Sequence, residues 1–600
     1  MVGCSGKSRG SVAVRHALSH GLLAILLCAG RAAEAQTPQA SVDDAIPQRS
    51  TVPPRAKAFA VARRQPAANF QGPDNDLELR LREIEQQFEE QQVELESLKQ
   101  RLQEVQQPPT PAPTGPPPRY RIGSNLNMYG AWNNGLEFRT PNRDFYFHVG
   151  GRTQLDSVAL NGPASGLVNT SPNSAQFQDA VDFRRVRLRA EGSMYELFDW
   201  VTEINFVNTA SMQDPTASSP QVPAGGIGNQ GSNAQLLQNR TFNIINPTDL
   251  WFNFRRVPLL GNVQIGNEKE PFGLERLESS RYLDFMERNF ANDAFISPSA
   301  NGFAPGVMAW NWAENRRMTY ALGIFKNVTN GNVFNIGDGQ GEWAGRITYL
   351  PWYDEPANGR NFMHVGVGVC QRGIDNGLIR YRTRGDLRNG PDALLTAWAD
   401  TNYIGGQYQM IVNPEFMYQR GPLFVQAEYM GNWTTDAVAF PAGTGSNGAP
   451  PNGDPHSVAG ATNLGSLYYW GGYCQVMYFL TGEHRIYDYQ KGLVGRVIPL
   501  ENAFWVRGRN GRRIFGTGAW QVGYRLNYLD LNQRGVNGGT LIGNTLGLNW
   551  FFNPNSKLQF NFDVMQRNAR STTANDRINS PGTGVTGFIY GFGMRFAADF

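Results

Sequence analysis

Arginine occupies every second position of one short stretch, Arg185, Arg187 and Arg189, with Val186, Leu188 and Ala190 between them. Successive side chains of an extended chain point to opposite faces. The three guanidinium groups therefore share one face over about 13 Å, at roughly 3.3 Å of rise per residue. A guanidinium stays charged and donates two parallel hydrogen bonds to a phosphate or carboxylate. The chemistry on offer is anion recognition, with each ion passed from one rung to the next. If the stretch crosses a membrane, its arginines must face water, because a charge on the lipid side costs about 2–4 kcal/mol at mid-membrane.

The same alternation puts Arg152, Arg346, Arg525 and Arg595 on polar faces. With the first three they form a candidate pore-lining, anion-binding set. Asp156, Glu191, Glu203, Glu428 and Asp563 fall on the same faces, and ion pairs among these groups would brace a wall instead of selecting an ion. Residues 145–600 hold 37 Lys plus Arg against 36 Asp plus Glu, so selectivity must come from local placement.

Catalytic chemistry finds little support. His148, His364 and His484 are scattered, His456 sits in a loop, and none stands in a serine-and-acid arrangement. No glycine loop precedes a helix to hold a nucleotide. Cys370 alternates with His364, Gly366 and Gly368, whereas Cys474 alternates with Val476 and Tyr478, which places the two thiols on opposite faces and argues against a disulfide. No Cys/His spacing suggests a metal. No enzyme activity, metal or cofactor is expected, and a net charge of +3 gives no basic field for nucleic acid.

The elements that position these arginines follow from the rest of the chain. Lys7, Arg9 and Arg15 precede a short apolar run, Leu22 to Ala29, and Ala33-Glu34-Ala35 offers a cleavage site; residues 1–35 read as a signal peptide with Gln36 as the mature start. Leu27 stands before Cys28 where a lipoprotein would need a small residue. Residues 36–76 are rich in Pro, Ala, Gln and Arg without a period and read as a disordered linker. Over 77–105, Leu77, Leu81, Ile84, Phe88, Gln91, Leu95, Leu98, Leu102 and Val105 recur at alternating steps of four and three, the seam of a coiled coil. Pro108 to Pro118 then opens a Pro-rich spacer and lead-in, 106–144.

From Phe145 the period becomes two. Phe588, Tyr590, Phe592, Met594, Phe596, Ala598 and Phe600 share one face of the last segment, opposite Gly591, Gly593, Arg595 and Asp599. Charged residues make up only 18 % of the chain, against about 25 % in soluble proteins, while aromatics reach 12 % and Gly 67 residues. Mean hydropathy of −0.42 excludes a helical membrane bundle. A barrel reconciles these values, since only alternate residues meet lipid. Segments start near 145, 182, 198, 248, 262, 305, 318, 343, 361, 408, 423, 468, 518, 540, 556 and 586, which predicts an all-β, 16-stranded antiparallel transmembrane barrel over 145–600. Long links (160–181, 208–247, 271–304) alternate with short ones (195–198, 257–262, 313–317). That parity places both chain ends in the periplasm, and with them the coiled coil. The link 481–517 is long where a short turn is due. It is either an ordered excursion or hides a pair of strands.

At this point the chain resembles the phosphate-selective porin O and P family. The resemblance rests on Gly150-Gly151-Arg152-Thr153-Gln154-Leu155-Asp156, Phe183-Arg184-Arg185-Val186-Arg187-Leu188 and Lys269-Glu270-Pro271-Phe272-Gly273-Leu274-Glu275. It continues in Ser279-Ser280-Arg281, Phe285-Met286-Glu287-Arg288, Leu480-Thr481-Gly482-Glu483-His484-Arg485, Gly518-Ala519-Trp520, Leu529-Asp530-Leu531 and Leu548-Asn549-Trp550. Members are outer-membrane channels, and the best-known ones are trimers passing phosphate or polyphosphate. The resemblance thus implies outer-membrane lipid, two further copies of the chain and small anions as partners. It also implies that 271–304 folds into the lumen as a constriction. There Arg276, Arg281 and Arg288 face Glu275, Glu278, Asp284, Glu287 and Asp293, a slightly acidic balance. Lys269 would turn toward lipid by strict alternation from Val263 and Ile265, unless a bulge or strand end intervenes. The function expected is an outer-membrane porin for small solutes, with anions such as phosphate preferred. The alternative is an envelope anchor tied to the cell wall through its coiled coil, with little channel activity.

Overall fold

The computed structural model describes residues 121–162, 179–207, 246–296, 302–326, 340–357, 359–388, 397–440, 455–507, 512–568 and 586–600. The segments read from sequence as signal peptide, linker and coiled coil lie outside these. Sixteen antiparallel strands form the wall. They are β1 (Phe145–Asn161), β2 (Ala180–Met194), β3 (Phe198–Asn205), β4 (Asn246–Val257), β5 (Gly261–Glu268), β6 (Ala304–Trp312), β7 (Met318–Lys326) and β8 (Gly341–Tyr353), followed by β9 (Asn361–Gly373), β10 (Tyr408–Arg420), β11 (Leu423–Ala439), β12 (Thr462–Phe479), β13 (Ala519–Gln533), β14 (Val536–Asn553), β15 (Ser556–Asn568) and β16 (Gly587–Asp599). Each of the sixteen expected segments is one of these strands. β12 and β14 begin several residues earlier than their apolar patterns suggest.

Closure runs from Asp599↔Arg152 to Tyr590↔Asn161, joining β16 to β1. No strand edge is then left in hydrocarbon, where an unpaired backbone group costs several kcal/mol. The alternation is inverted relative to a soluble protein. Phe592 on β16 is 50 % exposed and Ile324 on β7 72 %, while Arg595 between lipid-facing aromatics is fully buried. A short hairpin in the lead-in, Tyr129–Trp132 with Leu136–Arg139, adds to the first residues of β1.

Links after odd-numbered strands gather at one end, the loop end; links after even-numbered strands and the barrel's own first and last residues gather at the other, the turn end. Three segments fold inward. One follows β5 and contains a single helical turn, Leu274–Leu277. A second, between β9 and β10, carries the hairpin Leu378–Thr383 with Ala399–Gly405. The third is the long link after β12, which is an ordered excursion and adds no strand to the wall: Arg485–Asp488 pairs with Leu493–Val497, and Phe504–Arg507 with Arg513–Gly516. The first of these hairpins enters the lumen, where Tyr487 and Val494 pack with Leu274, Phe285, Phe362, Met417 and Met477.

Inner-face glycines along β13–β16 are seats for these segments. A Cβ at Gly593 would lie 2.6 Å from Leu387 and 2.8 Å from Met286, and one at Gly547 would lie 2.9 Å from Phe285. That stretch of lumen face, expected to meet water, is packed.

Candidate functional site

The segment after β5 departs from the wall because Lys269 lies just past the strand's last residue, which removes the conflict with alternation. Its Nζ donates to the carbonyls of Arg276 (2.6 Å), Leu277 (3.2 Å) and Glu278 (3.2 Å), closing the C-terminal end of the helical turn. Gly273, at φ 78°, begins that turn in a conformation that favours glycine. At the other end the wall carboxylate Glu428 accepts from the backbone N–H groups of Leu274 (2.5 Å) and Glu275 (2.9 Å). These are donors that a helix start leaves unpaired. One lysine and one glutamate thus clamp the segment across the lumen.

The segment's acids turn to the wall and its neighbours. Glu275 meets Arg525 at 2.9 Å, Asp284 meets Arg485 at 2.8 Å, and Glu287 meets Arg184 at 2.8 Å and Arg595 at 2.9 Å. Asp293 meets Arg384 at 2.5 Å and Arg388 at 2.9 Å, both on the inward arm between β9 and β10. Arg276, Arg281 and Arg288 line an open cavity of about 550 Å³, which Glu287 and Asp293 of the same segment also border. Arg276 pairs with Glu270, and Arg281 lies 3.4 Å from Asp599. A sequence stretch with a slightly acidic balance thus brings three arginines and two acids to the cavity.

That cavity runs between the segment and the wall of β1–β8. Thirteen Arg and Lys side chains border it, against six Asp and Glu. Arg152, Arg185, Arg187, Arg189 and Arg346 are among them, so the structure brings together five of the seven wall arginines singled out from sequence. Arg525 and Arg595 are elsewhere. Both are fully buried under the inward segment, and Arg595 bridges Asp156 (2.6 Å) and Glu287. Alternation gave their face correctly; only packing decides which part of the lumen face stays open.

The rungs are partnered. Arg187 meets Glu203 at 2.7 Å, Arg152 meets the same carboxylate at 2.8 Å, and Arg189 reaches Glu191 at 2.9 Å and Asp249 at 3.2 Å. Arg185 donates to Gln154 at 2.8 Å. Arg185 also lies 3.9 Å from Glu287, a carboxylate it shares with Arg184 and Arg595, and Glu203 is shared by Arg152 and Arg187. Arg187 and Arg189 keep 14 % and 20 % of their side chains exposed to the cavity.

Arg184, Arg384, Arg388 and Lys491 also border the cavity and were not expected there. Arg184 turns inward because the register slips between Gln154 and Leu155 and makes it the extra residue of a bulge. Arg384 and Arg388 arrive on the inward arm and Lys491 on the lumen hairpin, so no periodicity marks them. Arg346 also serves as a brace. It meets Glu415 at 2.6 Å and donates to the carbonyls of Lys491 and Gly492, both at 2.9 Å. His364, between Tyr487 (2.8 Å) and Glu415 (2.9 Å), belongs to the same buried network. Cys370 is buried inside and Cys474 lies half-buried on the opposite face, with no disulfide between them.

Comparison with known proteins bears on the whole barrel. The model of the phosphate-selective porin O and P family matches residues 147–592. Porin O of Pseudomonas aeruginosa is 25 % identical over 449 residues, which cover 71 % of this chain and 84 % of that protein. A protein of Caulobacter vibrioides described as uncharacterized is 24 % identical over 445 residues, covering 72 % of this chain and 71 % of its own. Among solved structures, the outer membrane channel DcaP of Acinetobacter baumannii aligns with 77 % of this chain and 99 % of its own length, at 10 % identity and a TM-score of 0.39.

Proposed function

This chain belongs to the phosphate-selective porin O and P family, and we propose that its outer-membrane channel conducts small anions, phosphate among them, along the wall of β1–β3. One observation carries this reading: the open cavity is bordered by thirteen cationic groups and six carboxylates although the barrel as a whole is nearly neutral. An anion entering gives up part of its hydration shell. Arg185, Arg187 and Arg189 replace it with charge-assisted hydrogen bonds. Each rung is already engaged by an acid or amide, so it offers the ion only part of its donor capacity. Binding is then shallow enough for release to the next rung, as conduction requires. Arg276, Arg281 and Arg288 supply positive potential from the opposite side of the passage, where low-dielectric walls weaken screening.

Reversal potentials in a salt gradient test this. The wild type should prefer anions, and changing Arg185, Arg187 and Arg189 together to Gln should lower the anion-to-cation permeability ratio several-fold. An unchanged ratio would make the ladder structural. Phosphate is distinguished from chloride by its block of chloride current, which should weaken in the same variant.

The assembly that fits this reading is a homotrimer, with the heptads of 77–105 associating on the periplasmic side. Phe88 at a core position suits three strands better than a tight dimer. Cross-linking of the purified protein with and without 77–105 tests both statements. A role for the coiled coil in gripping the cell wall is a separate reading, tested by co-sedimentation with purified peptidoglycan.

A further inference from the structure

The second hairpin of the link between β12 and β13 takes no part in the pore. Phe504–Arg507 pairs with Arg513–Gly516, and it stands against the outside of the barrel. The Phe504 ring lies 5.5 Å from Trp550 and 5.4 Å from Phe552, both on the lipid-facing side of β14, and the Ala503 N–H donates to the Phe552 carbonyl at 2.6 Å. Trp520 and Trp550 stack at 4.7 Å, and both indole N–H groups donate to the carbonyl of Thr517, at 3.1 and 2.8 Å. Tryptophan at a membrane surface places its ring at headgroup level and its N–H on a polar partner. Here the polar partner is the base of the hairpin, which fixes the hairpin's depth at the turn end of the wall.

From that base the hairpin presents an unusual face. Trp505 and Phe515 oppose each other across the two strands, with rings edge-to-face at 5.6 Å, and are 67 % and 60 % exposed. The next pair on the same face is Arg507 and Arg513, also exposed. The described residues 504–507 and 512–516 contain three arginines, Arg507, Arg512 and Arg513, and no Asp or Glu. An aromatic pair continuous with the lipid-facing girdle, followed by a pair of guanidiniums, matches the layering of a bilayer surface: acyl chains and glycerol below, phosphate above.

We propose that the strand pair Phe504–Arg507 and Arg513–Gly516 is a binding site for anionic phospholipid headgroups in the leaflet at the turn end, which in outer-membrane barrels faces the periplasm. Trp505 and Phe515 seat in the interfacial layer. Arg507 and Arg513 donate to phosphodiester oxygens, and the excess of positive charge favours a headgroup with net negative charge over a zwitterionic one.

The test uses the full-length protein in phosphatidylcholine vesicles containing a fraction of either brominated phosphatidylcholine or brominated phosphatidylglycerol, with tryptophan fluorescence as readout. The wild type should be quenched more by the brominated phosphatidylglycerol. W505F should lose that excess. The double variant R507Q/R513Q should bring the two brominated lipids to equality while Trp505 stays quenchable by both. Equal quenching of the wild type by the two lipids would overturn the proposal. So would a Trp505 contribution that neither lipid quenches. Loss of cross-linked oligomers in W505F or F515A, with heat-modifiable migration of the monomer intact, would also overturn it, by assigning the face to contact between copies of the chain.

Discussion

The two sides of the lumen use one residue type for opposite ends. On β1–β3, Arg152, Arg187 and Arg189 share carboxylates and border open space. On β13–β16, Arg525 and Arg595 are sealed beneath the inward segment, each facing an acid from it. All five obey the same alternation. What separates them is the inner-face glycine of β14 and β16, which lets Phe285, Met286 and Leu387 lie flat on one side and leaves the other unfilled. Inward direction in a barrel thus establishes exclusion from lipid, and the filling of the lumen decides whether a charge meets an ion or an internal partner.

The comparison breaks most readily at its buried side. R595Q would leave Asp156 and Glu287 short of a buried partner. Removal of one member of a buried pair costs about 3–5 kcal/mol, so the temperature at which the folded band disappears in gel electrophoresis should fall by more than in the triple Gln variant of Arg185, Arg187 and Arg189. A smaller drop than in the triple variant would reverse the roles assigned to the two sides. G593V should cost about 1–3 kcal/mol by overpacking and, by lifting Leu387 and Met286, should raise single-channel conductance; unchanged conductance would mean that the packed side does not limit the passage. E203Q sharpens the open side with an effect opposite in sign to the loss of arginines. It releases Arg152 and Arg187 from their shared carboxylate, and the anion-to-cation permeability ratio should rise. Deleting 77–105 should leave the monomer's heat-modifiable migration where it was, since every strand of the wall lies beyond it. Loss of the folded band would move the barrel's boundary toward the N-terminus.

The wall was legible because lipid enforces its pattern residue by residue: Phe588, Tyr590, Phe592 and Phe596 can only face outward. The direction of Arg185, Arg187 and Arg189 was legible on the same ground. Arg184 was not, since a bulge depends on how β1 and β2 meet and leaves no period of its own. Arg384, Arg388 and Lys491 were not legible because segments that fold inward answer to partners 91, 95 and 145 residues away. The acidic balance of the segment after β5 misled for a related reason. Glu275 is spent on Arg525 away from the cavity, Glu287 and Asp293 meet arginines of other elements at its border, and no count along the chain reveals such pairings.

The clamps on that segment also set a timetable. Glu275 is held by Arg525, 250 residues later, Asp284 by Asn549 at a separation of 265, Leu283 by Lys557 at 274 and Glu287 by Arg595 at 308. Closing such distances before any contact rewards them makes assembly slow. Glu428 and Arg184 offer the segment part of its dock earlier, but the contacts with Arg525, Asn549, Lys557 and Arg595 wait for the last four strands, and once β16 has joined β1 it is enclosed. The packing of the lumen is therefore completed only as the wall closes. A barrel that closed with the segment outside would leave Arg525 without Glu275 and Arg595 with Asp156 alone.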